Sequence, residues 1–357
     1  MTLNCSTSPL RSLQTGTWVK LIGGASFQDL PALRSLAITY GLAGIDCIDL
    51  AADGAVIEAV QEGITVAQNL VTEAQKRGFS PSSSPWLMVS LNDGEDPHFR
   101  KAYFDPIYCP TNCPRPCESI CPAQAINNNG IMPQRCYGCG RCLPICPLGL
   151  ITAHSHQVIP TEIASLLRLY PIDALELHTQ VGHQQAFQTL WSAIAPSVKR
   201  LKILAISCPE QPDVLDYLHF LDHLIQPLPC PLIWQTDGRS MSGDIGKGTT
   251  HAAIRLAQKV LASDLPGYVQ LAGGTNAHTL SKLKSLNLLD NSPSNGRAIA
   301  GIAYGSYARS QLVPLLNELE KRDRTFPQLE QHPDLLWQAV AIAASLVTPL
   351  KKRHKSN

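Results

Sequence analysis

The fold is decided by DALELHT (173–179), KILAIS (202–207), PLIWQT (231–236), YVQLAG (268–273) and IAGIAYG (299–305). Each is a short, nearly continuous apolar run, the pattern of a strand covered on both faces. Between them lie QAFQTLWSAI, PDVLDYLHFLDHLI, TTHAAIRLAQKVLAS and AHTLSKLKSL, with apolar residues three and four apart, as in helices that pack on a sheet. Toward the N-terminus, TWVKLIGG (17–24), GIDCIDL (44–50) and WLMVSLN (86–92) have the same strand character. LPALRSLAITYG, GAVIEAVQEGITVAQNLVTEAQKRG and TEIASLLRLY supply the remaining helices. Eight strand–helix units predict an α/β fold, a TIM-barrel-like (β/α)8 domain. An open doubly wound sheet satisfies the same alternation.

Between the third strand and the next helix the pattern is interrupted. Residues 1–97 read as the first part of the barrel, 98–156 as an inserted two-cluster ferredoxin-type α+β module, and 157–357 as the rest of the barrel with a C-terminal helix. The insert carries eight of the twelve cysteines, in CPTNCPRPCESICP (109–122) and CYGCGRCLPICP (136–147). The second run is C-x2-C-x2-C-x3-C-P, the spacing of a bacterial ferredoxin. Two-residue gaps let three thiolates wrap one corner of an iron–sulfur cube. Gly138 and Gly140 give the loop the backbone freedom this wrap needs. In two-cluster ferredoxins the fourth cysteine of a run, here before Pro122 or Pro147, serves the other cluster. The expected ligand sets are therefore Cys109, Cys113, Cys117 and Cys146 on the first cluster, and Cys136, Cys139, Cys142 and Cys121 on the second.

Both clusters read as [4Fe–4S]. The first run is spaced C-x3-C-x3-C-x3-C-P, which makes Cys109 its weakest ligand and leaves [3Fe–4S] as an alternative for that site. Zinc is the competing metal for paired cysteines. The start of the sequence reads as no secretory signal, so reduced thiols in a cytoplasmic protein are expected rather than disulfides. Cys5, Cys47, Cys208 and Cys230 lie outside both runs and read as structural residues.

A chain of 357 residues, 44% hydrophobic and 16% charged, with net charge +1, is an ordinary globular protein and gives no argument for nucleic acid. Its longest apolar run, LLWQAVAIAASLVTPL (335–350), is short of the roughly 20 residues that span a bilayer and reads as a buried helix, not a transmembrane segment. The insert is basic: Arg100, Lys101, Arg115, Arg135 and Arg141 stand against Asp105 and Glu118. Such charge fits an acidic partner, docking on the host barrel, or arginines that bond neighbouring carbonyls.

The strand ends gather Gly23-Gly24, Asp49, Asn92, His178, Asp237, Gly273, Gly274, Thr275, Asn276, Gly305 and Ser306. The last two strand ends are where many barrels bind phosphate. Gly273, Gly274, Asn276, Gly305, Ser306 and Arg309 are thus a candidate phosphate site, with flavin mononucleotide (FMN) as one ligand. DGRSMSGDIGKGTT (237–250) is no P-loop, since Lys247 precedes Gly248, and reads as a lid or an anion loop. Lys20 points into the barrel, with Asp46 or Asp49 as its expected partner rather than a Schiff-base role.

Taken together, CYGCGRCLPICP, GIDCIDLAAD, DGRSMSGDIGKGTT and QLAGGTNAHT resemble the light-dependent period (LdpA) family of cyanobacteria, over almost the full chain. The resemblance implies an iron–sulfur redox sensor that reports light-dependent redox state to the Kai circadian clock. Its implied partners are a clock input kinase and the Kai oscillator proteins, and its implied ligands are the eight cysteines named above. Two readings follow. In one, the clusters respond to the electron-transport chain, through quinone redox state, and change the protein's contacts without catalysis. In the other, the protein is an oxidoreductase whose clusters pass electrons to a flavin in the barrel.

Overall fold

A computed structural model describes residues 8–81, 84–155, 160–238, 249–290, 297–323 and 327–353. Eight parallel strands close a barrel: β1 Trp18–Gly24, β2 Cys47–Ala51, β3 Trp86–Asn92, β4 Ala174–His178, β5 Ile203–Pro209, β6 Leu232–Asp237, β7 Tyr268–Ala272 and β8 Ile299–Tyr304. Each pairs with its neighbours in sequence, and β1 pairs with β8, Trp18 opposite Gly301 and Lys20 opposite Ala303. The ring is closed, so the open-sheet alternative does not hold.

Alternation along the strands sorts the side chains. On β4, Leu175 and Leu177 join the core shared with the outer helices, while Ala174 packs inside with Trp18, Met88, Ile203 and Ile233. A first short helix, Pro9–Gln14, adds Leu13 to this inner cluster and closes the base of the barrel. The helix expectations depart in two ways: the long run after β2 forms two helices, Gly54–Asn69 and Val71–Lys76, broken at Leu70, and helices Pro9–Gln14 and Ser306–Arg322 were not foreseen.

Helix Pro333–Lys351 has the length and apolar composition to cross a membrane. It instead buries Leu335, Leu336, Ala339, Val340, Ala343, Leu346, Val347 and Leu350 in the core. At its end Lys351 pairs with Asp46 at the barrel base, and Val19 N also donates to Asp46, at 2.7 Å.

The insert leaves after β3 and returns before helix Pro160–Leu169. Strands Arg100–Tyr103 and Thr152–Ser155 pair antiparallel at its neck. Beyond them, two short helices, Pro116–Ile120 and Cys142–Ile145, each precede a Cys-Pro step. Phe104, Cys117, Ile126, Cys142 and Ile151 form its own small core.

Candidate functional site: two cysteine pockets and a barrel mouth

The eight cysteines of the insert fall into two cavities. Cys121, Cys136, Cys139 and Cys142 line the inner one, walled by Ala102, Ala125, Ile126 and Leu143. Cys109, Cys113, Cys117 and Cys146 line the outer one, walled by Phe104, Leu150 and Ile151. Each pocket thus takes three cysteines from one run and the closing cysteine of the other. Among the described residues no cysteine is in a disulfide; Cys47 and Cys208 are buried and Cys230 is half-buried. Cys5 lies outside the described residues.

The chemistry of both pockets suits an iron–sulfur cluster. In the inner pocket, the Ala102 and Ala125 amides donate to Cys136 Sγ and Cys121 Sγ, each at 3.3 Å. Burial, then the neighbouring Cys139, Cys136 and Cys121, pushes the Cys142 thiol up to about 12. Four thiolates so crowded in an apolar wall need positive charge among them, which bound iron supplies. In the outer pocket, Arg115 N donates to Cys113 Sγ at 3.5 Å. Desolvation works against the Cys146 thiolate, but the amides of Leu150, Leu148, Ile151 and Gly149 outweigh it and lower its pKa.

The inner pocket is docked on the barrel. Gly138, at φ +68°, lies so close to the neck that an added Cβ would sit 2.0 Å from Arg100 O. Next to it, the Tyr137 ring meets Phe27 edge-on at 6.0 Å, and the Arg309 guanidinium stacks 4.0 Å above it. Arg135 reaches Asp29 at 3.3 Å and Glu320 at 2.5 Å. Gln28 N bonds Gln134 O at 2.9 Å, and Lys101 donates to Gln28 at 2.7 Å. Arg100 pairs with Glu95 and Arg115 with Glu118. The basic charge of the insert is therefore largely met inside the chain. The outer pocket faces away, beside Ile107 (85% exposed), Tyr108 (70%) and Leu148 (53%).

Under the inner pocket the barrel has a polar floor. Lys20 is fully buried, ion-paired with Glu176 and 3.9 Å from Asp49. It does not meet Asp46: that residue precedes β2, an odd three positions from Asp49, so it faces the other side and takes Lys351. Ser90 Oγ donates to Asp49 at 2.6 Å, Gln235 to Glu176 at 2.5 Å, Gln270 to Gln235 at 2.5 Å, and Trp18 Nε1 to Gln270 at 2.5 Å. Burial raises Glu176, but Lys20 and His178 outweigh it and hold the carboxyl at about 2. Glu176 was not among the sequence candidates, although it lies two residues before His178 and so shares its face.

Above this floor is a cavity of about 60 Å³. Gly273, Gly274, Gly305, Ser306 and Arg309 line it together, with His98, His178, Asp237 and Tyr137. Asn276 does not. Its Oδ1 accepts from His278 N at 2.9 Å and its Nδ2 turns to Gly274 O, so it caps its own loop beside a neighbouring depression with His251 and Lys282. Gly274 is required by packing, since a Cβ there would meet Thr249 Oγ1 at 1.9 Å. Arg309 is 7% exposed, donates to Ile22 O, and keeps an unpartnered Nε. Asn92 caps locally, donating to Gly94 O at 2.7 Å. Of the glycine-rich 237–250 loop, residues 239–248 lie outside the described residues.

Two residues at the junction of barrel and insert complete the mouth and were not singled out in the sequence: Asp96 and His98. His98 Nδ1 lies 2.7 Å from Asp96 Oδ1, and His98 Nε2 lies 3.2 Å from Asp237. His178 joins Asp96 at 3.4 Å and Glu176 at 3.0 Å. The signal available was D-P-H in the loop after a barrel strand, where sites gather.

Comparison with known proteins agrees with this geometry. Residues 109–157 match a family model described as the LdpA Fe-S cluster-binding domain, and 166–349 match the light dependent period A C-terminal domain. Light dependent period A of Synechococcus elongatus is 52% identical over 344 residues, 96% of this chain and 94% of that protein. The chain belongs to the light dependent period A family. It is an iron–sulfur protein, its cluster-binding domain being the cysteine-bearing insert. Among solved structures, N-acetylneuraminate lyase from Mycoplasma synoviae is 10% identical, with 96% of this chain and 89% of that one covered, at a TM-score of 0.33. The 4-hydroxy-tetrahydrodipicolinate synthase of Methylacidiphilum fumariolicum SolV is 13% identical, with 94% and 98% covered, also at 0.33. Neither likeness bears on what this barrel does.

Proposed function

We propose that the chain is a redox-sensing protein with two iron–sulfur clusters, acting in the cytoplasm on the input side of the Kai circadian clock. The observation that carries the reading is the pair of cavities, each lined by four cysteines drawn from both runs. Cys136, Cys139, Cys142 and Cys121 hold the inner cluster, of [4Fe–4S] type. Cys109, Cys113, Cys117 and Cys146 hold the outer one, [4Fe–4S] or, without Cys109, [3Fe–4S]. When bound, such clusters take up and release single electrons.

The two pockets have different work in this reading. The outer one, rimmed by exposed Ile107, Tyr108 and Leu148, is where an electron carrier or quinone meets the protein. The inner one rests on Tyr137, Phe27 and Arg309, so a change there alters how the insert sits on the barrel. That change is what a clock input kinase or Kai oscillator proteins would read. The family relative's name, which refers to a light-dependent period, supports this setting.

The second reading, an oxidoreductase that passes electrons to FMN, is favoured by one observation: Gly273, Gly274, Gly305, Ser306 and Arg309 share a cavity with Tyr137. Anaerobic purification separates the two. The sensor predicts about eight irons per chain, or seven with a three-iron outer cluster, a broad brown absorbance, no flavin bands, and binding to the clock proteins that changes with quinone redox poise. Flavin bands with turnover would favour the oxidoreductase. A colourless zinc protein would remove both.

A further inference from the structure

We propose that the barrel mouth holds a mononuclear first-row divalent cation, such as zinc or iron(II), on Asp96, His98 and His178. One donor atom from each of the three lies within 4.8 Å of the others. Both Nδ1 atoms converge on one carboxylate, His98 at 2.7 Å from Asp96 Oδ1 and His178 at 3.4 Å from Asp96 Oδ2. Donors about 2.0–2.2 Å from an ion lie roughly 3.0–3.5 Å from one another, so both contacts to Asp96 are already near coordination spacing.

The far side of each imidazole is also set. His98 Nε2 lies 3.2 Å from Asp237 and His178 Nε2 3.0 Å from Glu176. A carboxylate behind each histidine is the arrangement that fixes ring and tautomer for metal binding. Two imidazoles with a carboxylate select zinc, iron, cobalt or manganese over calcium and magnesium. Two imidazolium protons, hydrogen-bonded to these carboxylates, are the alternative the experiment must exclude. The adjoining cavity leaves open positions for roughly four waters. Because Asp96 and His98 lie where the chain enters the insert while His178 ends β4, the ion would tie the entry of the cluster module to the barrel.

The test is equilibrium dialysis of the anaerobic, cluster-loaded full chain against Co2+, with cobalt and iron counted by elemental analysis. The proposal expects one cobalt per chain with iron content unchanged. Affinity should fall at least tenfold in His98→Ala and Asp96→Asn and stay unchanged in Lys282→Ala. X-ray absorption of cobalt bound to the wild type covers misfolding of the variants, and must show imidazole and oxygen neighbours without sulfur. No stoichiometric binding, equal affinity in His98→Ala, or sulfur neighbours would overturn the site.

Discussion

The inner and outer cysteine pockets are built from the same pieces and sit in opposite surroundings. Each has four cysteines, a short helix and a Cys-Pro step. The inner one is pressed on the neck through Gly138 and on the barrel through Tyr137 and Arg135, above a buried polar floor. The outer one has Ile107 and Tyr108 in solvent, and its Gly149, also at positive φ (+62°), has nothing within 4 Å of an added Cβ. A repeated motif can thus be split between a structural joint and a contact surface by its neighbours alone.

The sharpest way to break this comparison is to add one methyl group on each side. Gly138→Ala drives a Cβ against Arg100 O in a left-handed conformation, so a loss of more than about 3 kcal/mol and of one cluster is expected. Gly149→Ala should cost about 1 kcal/mol, with iron retained. Chemical denaturation and iron analysis of the pair would show it. Equal losses would mean that the two pockets are not differently anchored.

The floor under the inner pocket supplies an acid limit that the outer pocket lacks. Glu176 is held at about 2 in the folded chain, below its ordinary 4.5, so its stabilisation is present above about pH 4.5 and is lost as pH falls toward 2. Asp49 works in the opposite direction. Burial and Glu176 push it up to about 6, so it favours folding as pH falls through 6. The net loss therefore starts only below about pH 4.5, with Glu176 contributing on the order of 3 kcal/mol. Urea titrations across pH 2–7 should show that slope, flattened in Glu176→Gln. An unchanged slope in the variant would mean that Glu176 is not the group responsible.

Paired tyrosines give the next smaller effect. Tyr137→Leu removes the contacts to Phe27 and Arg309 and should cost about 1–2 kcal/mol. Tyr108→Leu, 70% exposed, should stay within about 0.5 kcal/mol and show instead in the rate of reduction by an added quinol. Arg135→Ala falls between the two. Its ion pairs with Asp29 and Glu320 are partly exposed, and about 1 kcal/mol is expected. A stable Tyr137→Leu protein beside a destabilised Tyr108→Leu one would reverse the assignment of joint and surface.

The barrel was legible because buried parallel strands leave near-continuous apolar runs, and Trp86–Asn92 begins and ends where WLMVSLN does. The break at Leu70 left no mark in the helical periodicity. The polar floor was harder. Lys20 was visible, but the choice between Asp46 and Asp49 needed the parity of β2, and its main partner, Glu176, sits a quarter of the barrel or more away in the chain. Asp96 and His98 were hidden beside the cysteines, because only folding returns a loop residue over a strand end. Asn276 looked like a ligand by its glycine neighbours, yet a short side chain beside a turn bonds its own backbone first.

The pairing of cysteines across the two runs is the centre of the account, and paramagnetic resonance of single variants tests it directly. Cys121→Ser, in the first run, should abolish the same signal as Cys139→Ser, while Cys146→Ser, in the second, should abolish the signal lost in Cys113→Ser. If Cys121→Ser instead removes the signal that Cys113→Ser removes, each run holds its own cluster and the crossed arrangement is wrong.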